Sequence, residues 1–245
     1  SGEVEIVLAP DIVLGDVLLT LTISAEYTDN YGNESEFSYG FPLILNVSLN
    51  QAGWPFENVA QIESSPAVLD INGDGTKEVI FGDYGGSLHV VSSTGEELSG
   101  FPFELGDDIW GSPAVADLEG DGDVEIVIGS KNKHLFILNA DGSIQADYNS
   151  GQYLMGTPAL GNIDDDADLE IIFGGYSSSG KLFAINPDGS NVSGFPLQLD
   201  EKIQRGVALA DFNGNGKVDV VCGTDSDHLW LIYDDLTVVT IQVHS

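Results

Sequence analysis

The sequence predicts an all-β fold made of tandem sheet repeats, and three observations carry that prediction. Trp54, Phe101, Tyr148 and Phe195 follow one another at 47-residue intervals; Leu88, Leu135, Leu182 and Leu229 keep the same spacing, as do Thr94, Asp141, Asp188 and Asp235. Three registers sharing one period mark an internal repeat. Within each repeat, short runs rich in Val, Ile and Phe alternate with Gly, Asp and Asn clusters, the pattern of strands and turns. No helical periodicity of any length interrupts them.

Each repeat reads in the same order. An aromatic step opens it (WP, FP, YN, FP), followed by SSPAVLD, GSPAVAD, GTPALGN or RGVALAD. An acidic loop comes next, then EVIFG, EIVIG, EIIFG or DVVCG. The following run is LHVVSS, HLFILN, KLFAIN or HLWLIY, usually closed by a Gly-bearing turn. Three or four short strands per repeat is what a β-propeller blade needs. One such sheet cannot bury both faces alone, so neighbouring blades must stack. The recurring aromatics are therefore expected as packing residues between blades. Residues 51–245 read as four blades of about 47 residues, with LTVVTIQV at 236–243 as the outer strand of the fourth. Rings of this kind run from about four to eight blades. Four blades either close on themselves or leave apolar faces and strand edges, which favours self-association through open blade faces or cover by residues 1–50.

Residues 1–50 do not share the period. Leu19, Leu21, Ile23, Ala25 and Tyr27 alternate along one stretch and Leu43, Leu45, Val47 and Leu49 along another, with the turn-rich DNYGNES between them. This reads as a short, partial Ig-like β-sandwich segment. The Ser1-Gly2 start, running at once into strand-like sequence, reads as an excised piece of a longer chain.

Composition narrows the partners. The chain has 245 residues, of which 42% are hydrophobic and 9% aromatic, so it is not a disordered acidic tail. Seven Lys and Arg stand against 40 Asp and Glu, a formal charge of −33. That field repels nucleic acid and anionic membranes and attracts cations. No apolar run approaches the ~18 residues of a membrane span, so no membrane insertion is expected. The single cysteine, Cys222, sits in the apolar run VDVVCG and reads as a small core hydrophobe.

The acidic loops are DINGDGTKE (70–78), DLEGDGDVE (117–125), NIDDDADLE (162–170) and DFNGNGKVD (211–219). Oxygen-bearing side chains occupy positions 1, 3, 5 and 9, and Gly holds position 6 in three of the four. A hard cation wanting six to eight oxygens suits such a loop, with position 7 offering a backbone carbonyl and Gly permitting the sharp turn. The helical calcium loop is excluded, because its bidentate Glu falls at position 12. Position 12 here is Phe81, Ile128, Phe173 and Cys222, all inside strand-like runs.

These loops, with the SPAVLD-like run before and the IFG-like run after, resemble the FG-GAP repeats of integrin α-type β-propellers and their bacterial secreted relatives, over about residues 51–245. The resemblance implies one Ca2+ per repeat, up to four, each held in a loop joining two strands of a blade. It assigns Asp70, Asn72, Asp74 and Glu78 with the Thr76 carbonyl to the first site. The second takes Asp117, Glu119, Asp121 and Glu125 with the Asp123 carbonyl. The third departs from the pattern by opening with Asn162 and carrying Ala167 for Gly, while Asp164, Asp166, Asp168 and Glu170 keep it acidic. The fourth has only Asp211 and Asp219 as carboxylates, beside Asn213 and Asn215 and the Lys217 carbonyl. Fewer charges predict weaker binding there. The resemblance also implies a secreted or cell-surface location and an extracellular protein or glycan as partner.

Catalytic signatures are sparse. His134 and His228 occupy equivalent places two repeats apart, with Ser87 and Lys181 in the same slot, so a ring would hold them on different blades. His89 replaces the aromatics Phe136, Phe183 and Trp230 and is expected to pack; His244 stands next to the terminus. No GxSxG elbow, HExxH or P-loop is present. The leading reading is a non-enzymatic, calcium-stabilised binding or scaffold module. Two rivals stand beside it: the C-terminal accessory region of a large secreted enzyme such as a peptidase, and a calcium-dependent polysaccharide lyase or glycosidase using a carboxylate pair.

Overall fold

A computed structural model describes residues 15–28, 34–47, 54–57, 59–164 and 166–243. The chain divides into two compact units, Ser1–Pro55 and Phe56–Ser245. In the first unit, β1 (Gly15–Thr28) pairs antiparallel with β2 (Glu34–Val47) in an unbroken register that sets Leu19 opposite Leu43 and Leu21 opposite Phe41. The alternation read in the sequence is thus that of one long hairpin. An Ig-like sandwich needs a second sheet facing the first, and none is found among the described residues of this unit. Leu49, the last residue of the predicted alternation, lies outside them.

The second unit holds four four-stranded antiparallel sheets, each a meander in chain order. Blade 1 comprises β3 (Ala67–Leu69), β4 (Glu78–Gly82), β5 (Ser87–Val91) and β6 (Phe103–Glu104). Blade 2 comprises β7 (Ala114–Ala116), β8 (Glu125–Gly129), β9 (His134–Asn139) and β10 (Ile144–Asn149). Blade 3 comprises β11 (Ala159–Gly161), β12 (Glu170–Gly174), β13 (Lys181–Ile185) and β14 (Leu197–Gln198). Blade 4 comprises β15 (Val207–Ala210), β16 (Asp219–Gly223), β17 (His228–Ile232) and β18 (Val238–Gln242).

Fourth-strand length follows from proline. Pro102 and Pro196 have no N–H to give a ladder, and β6 and β14 shrink to two residues after them. Blades 2 and 4 lack proline there, and β10 and β18 run on directly from their turns.

Three apolar clusters hold the blades together, each between successive sheets. Ile80, Leu88 and Val90 of blade 1 meet Ile126, Ile128 and Leu138 of blade 2; Val127 and Ile137 meet Ile171 and Phe173 of blade 3; Ile172 and Leu182 meet Val220 and Cys222 of blade 4. Phe101, Tyr148 and Phe195 join the first, second and third cluster in turn, so these recurring aromatics pack between blades. Tyr148 stands edge-on to both Phe173 (5.8 Å) and Phe183 (5.9 Å). Blades covered on both faces explain why EIVIG and EIIFG are continuous apolar runs: every residue of β8 and β12 is buried. Each fully buried Ile or Leu contributes about 1.5–3 kcal/mol. Cys222 is 1% exposed, and burial pushes its thiol up to about 12, as expected of a core residue.

Candidate metal centres

The acidic loops all join the first strand of a blade to its second, and position 9 begins that second strand. Glu78, Glu125, Glu170 and Asp219 are consequently buried, between 0% and 2% exposed. Each accepts a hydrogen bond from the backbone N–H of loop position 2: Ile71 to Glu78 Oε2 at 3.0 Å, Leu118 to Glu125 Oε2 at 2.9 Å, Ile163 to Glu170 Oε2 at 2.6 Å, Phe212 to Asp219 Oδ2 at 2.8 Å. One oxygen of each carboxylate therefore closes the loop. The other differs between blades. Glu78 Oε1 and Glu170 Oε1 are buried with no protein partner, whereas Asp219 Oδ1 receives the Asp234 N–H at 3.0 Å. A buried carboxylate oxygen without a donor is costly unless something outside the chain supplies the charge.

Burial and crowding show in the electrostatics. Burial pushes the Glu125 carboxyl above its ordinary pKa, and the charges of Glu119, Asp121 and Asp117 push it further. Glu170 is raised by burial and by Asp164 and Asp166. In this third loop one carboxylate oxygen from each of Asp164, Asp166 and Glu170 lies within 4.8 Å of the other two. Three oxygens so placed would repel when ionised and suit a bound cation.

Loops 1, 2 and 4 share a backbone path that loop 3 does not. Asp70, Asp117 and Asp211 at position 1 accept from the N–H groups of positions 5 and 6: Asp70 from Asp74 (3.1 Å) and Gly75 (2.9 Å), Asp117 from Asp121 (3.1 Å) and Gly122 (2.9 Å), Asp211 from Asn215 (3.2 Å) and Gly216 (2.8 Å). The Gly216 N–H is the main influence holding the Asp211 carboxyl low. This wrap needs left-handed backbone at position 6 (Gly75, Gly122, Gly216) and also at position 4 (Gly73, Gly120, Gly214), with φ between 70° and 98°. The sequence reading used only the position-6 glycine. In loop 3, Ala167 is not left-handed, and Asn162 instead donates from Nδ2 to the Asp166 carbonyl at 2.6 Å. Positions 5 and 7 are linked in every loop: Thr76, Asp123, Asp168 and Lys217 donate their N–H to Asp74, Asp121, Asp166 and Asn215. Asp74 is held low first by the Thr76 hydroxyl. Asn72 Oδ1 and Asn213 Oδ1 accept from positions 74 and 215.

Loop 4 is furnished differently from the rest. Lys217 Nζ lies 4.0 Å from Asp234 Oδ2, and Asn215 Nδ2 donates to Asp234 Oδ1 at 2.8 Å. Its few carboxylates are already matched by the chain's own donors. An acid-lined cleft of about 430 Å³ separates loops 1 and 2, with Asp70, Asn72, Asp123, Glu125 and Asp141 on its walls.

The histidines do not form a common centre among the described residues. His134 Nδ1 is 2.5 Å from exposed Asp147 on blade 2. His228 Nδ1 is 2.6 Å from Glu201, which also accepts from Thr224 and Trp230. His89 stacks on Phe81 at 5.0 Å, as its aromatic register predicts, but it also lies between Asp83 (3.4 Å) and Glu97 (3.2 Å). That acid pair was missed in the sequence; its signal is Asp83 standing where the other repeats carry Ser130, Gly175 and Thr224. His244 lies outside the described residues.

Residues 70–128 match the family model of the FG-GAP-like repeat. No curated protein matches the chain in sequence. Among solved structures, BBS1N, crystallised with ARL6DN and soaked with lead, superposes with a TM-score of 0.57 at 14% identity, covering 80% of this chain and 61% of that one. BamB from Moraxella catarrhalis gives 0.51 at 17% identity, covering 74% of this chain and 49% of its own. The chain thus spans between about half and three-fifths of these neighbours' lengths, and likeness at such identities is one of fold. Both neighbours are β-propeller-type proteins, and the stretch that matches the FG-GAP-like repeat model runs from loop 1 through loop 2 and into β8.

Proposed function

We propose that this chain is a calcium-stabilised, non-enzymatic scaffold and binding module of a secreted or cell-surface protein. One observation carries the reading: Glu170 is fully buried, its Oε1 has no protein donor, and Asp164 and Asp166 stand beside it. A hard divalent cation is the partner that such oxygens lack. The ion would be held in loop 3 by Asp164, Asp166 and Glu170 with the Asp168 carbonyl. Glu78 and Glu125 would anchor the equivalent sites with Asp70, Asn72 and Asp74, and with Asp117, Glu119 and Asp121. Calcium supplies charge neutralisation and a rigid loop. The chain's own residues supply the closure, through the position-2 N–H bond to the buried acid and the position-5 bond to position 7. Loop 4, with Asp219 satisfied internally and Lys217 beside Asp234, is the weakest site. The assignment as a scaffold rather than an enzyme rests on His89, His134 and His228 standing on three different blades, so that no two of them share a site. An extracellular protein or glycan suits the exposed loop surface and the polar cleft between loops 1 and 2.

Thermal unfolding tests this. A ligand at ~100 times its Kd adds about 2.7 kcal/mol per site. Calcium should therefore raise the melting temperature by several degrees over excess EDTA, and magnesium should substitute poorly because it demands rigid octahedral geometry. Identical melting curves in calcium and in EDTA, with metal shown to be absent from the latter, would overturn the reading.

A further inference from the structure

The chain contains three Asn-Gly steps, at Asn72, Asn213 and Asn215, and all three lie in the acidic loops. In such a step the glycine nitrogen can attack the asparagine Cγ, because the following residue has no Cβ to crowd the five-membered ring that forms. Two features of a folded loop favour the attack: a donor on Oδ1, where negative charge develops, and an acceptor for the proton that the glycine nitrogen must lose.

Asn72 and Asn213 share the first feature. Asp74 donates its N–H to Asn72 Oδ1 and Asn215 donates its N–H to Asn213 Oδ1, both at 2.9 Å. They differ in the second. Gly214 donates its N–H to Asp211 Oδ1 at 2.7 Å, so a carboxylate already holds the proton to be removed. In loop 1 the equivalent Asp70 receives the N–H groups of Asp74 and Gly75 instead. Asn215 has a carboxylate on its glycine as well, Gly216 donating to Asp211 Oδ2 at 2.8 Å. Its carboxamide is pinned at both ends, however: Oδ1 accepts from the Lys217 N–H and Nδ2 donates to Asp234 Oδ1, each at 2.8 Å, so Cγ is not free to turn toward Gly216. Asn213 is thus the step best placed to react. Asn213 and Gly214 are exposed, and a Cβ on Gly214 would meet nothing within 4 Å, so approach and water are unobstructed.

We propose that loop 4 modifies itself at Asn213, which becomes an aspartate by intramolecular deamidation. Asp211 takes the Gly214 N–H proton as that nitrogen bonds to Asn213 Cγ, and the Asn215 N–H supports the oxyanion on Oδ1. The Cγ–Nδ2 bond then breaks, and Nδ2 leaves as ammonia with the proton that Asp211 carried. Water opens the resulting succinimide at Cγ, which returns a hydrogen to the Gly214 nitrogen and leaves a carboxylate at position 213. Opening at the backbone carbonyl gives the isoaspartyl isomer. Either way one water is consumed and one ammonia released.

The product changes what the loop offers a cation. Loop 4 carries Asn213 and Asn215 at positions 3 and 5, where loop 2 carries Glu119 and Asp121 and loop 3 carries Asp164 and Asp166. Aspartate at 213 adds a third carboxylate to Asp211 and Asp219, and a higher ligand charge tightens calcium binding. This gain rests on the reading of the loops as calcium sites; the deamidation itself does not.

Peptide mapping by mass spectrometry of the full chain, incubated at neutral pH without metal, follows the exchange of ammonia for water at each Asn-Gly step. In the folded chain Asn213 should convert at least ~10 times faster than Asn72, a modest share of what a positioned proton acceptor can supply. In urea, where the loops are lost, the two should convert at the same rate. Asp211→Asn, with its β-sheet circular dichroism intact, should slow Asn213 to the rate of Asn72; if that variant unfolds, the comparison of folded and urea-treated wild type decides alone. A folded wild-type chain in which Asn213 converts no faster than Asn72, or a folded Asp211→Asn variant that converts Asn213 at the wild-type rate, would overturn the proposal. Calorimetric titration of Asn213→Asp should show tighter calcium binding at loop 4 than the fresh wild-type chain. An unchanged affinity there would overturn the gain in metal binding and leave the mass change standing.

Discussion

Replacing Glu170 by Gln should change the sign of its effect with calcium. The side chains are nearly isosteric, and the Gln carbonyl oxygen can still accept the Ile163 N–H that Glu170 Oε2 accepts at 2.6 Å. The substitution removes a buried charge whose pKa is raised by burial and by Asp164 and Asp166. Without metal, Glu170→Gln should therefore melt at or above the wild-type temperature, because the repulsion and desolvation are relieved. With calcium at ~100 times its Kd the wild type gains about 2.7 kcal/mol at this site that the variant cannot. Spread over a unit of this size, where each kcal/mol moves Tm by about 2–4 °C, the variant should melt roughly 5–10 °C below wild type. Differential scanning calorimetry of both proteins in calcium and in EDTA reads the crossover. An equal loss in both conditions would mean that Glu170 serves only its hydrogen bond, and the metal reasoning would fail for loop 3.

Three further outcomes follow from the geometry. Lys217→Thr, which restores the position-7 residue of loop 1 and removes the cation near Asp234, should strengthen calcium binding at loop 4; calorimetric titration showing no change there would contradict the charge ranking. Gly174→Ala should cost about 1–3 kcal/mol by overpacking, since its Cβ would sit 2.2 Å from Ile203 Cγ2, while Gly223→Ala should stay within about 0.5 kcal/mol; urea unfolding compares them. Asp83 gives the pH dependence. Burial opposes its charge, but the N–H groups of Ala60 and Ser87 and the His89 ring hold its carboxyl below the ordinary range. The stabilisation is full above the unfolded-state value of about 3.9 and is lost as pH falls through the lower folded-state value. Asp83→Ala should cost roughly 1.5–3 kcal/mol at neutral pH, with the deficit shrinking in acid below that value. A deficit independent of pH would show that packing alone is lost.

Repeat period, strand order and loop positions were legible because they rest on local spacing. Glu78, Glu125, Glu170 and Asp219 mark the same register as plainly in the sequence as in the fold. What the carboxylates do there was not legible. Agreement with the repeat pattern favours loops 1 and 2, yet the oxygens converge within 4.8 Å in loop 3, where Ala167 lacks the left-handed turn and the position-1 wrap is absent. Gly73, Gly120 and Gly214 went unread because a backbone φ leaves no mark that distinguishes one loop glycine from another. Asp219 differs from Glu170 through a bond from Asp234, fifteen residues on, which no local pattern displays. In residues 15–47 alternation fixes which residues share a face but not how many sheets form, so a hairpin and a sandwich fragment read alike.

Equilibrium dialysis against labelled calcium tests the central claim most directly. The wild-type chain should retain three ions tightly and a fourth weakly, and a variant carrying Glu78→Gln, Glu125→Gln and Glu170→Gln together should retain at most the weak one while keeping its β-sheet circular dichroism. A wild-type chain that retains no calcium, or a folded triple variant that retains as much as wild type, would contradict the account.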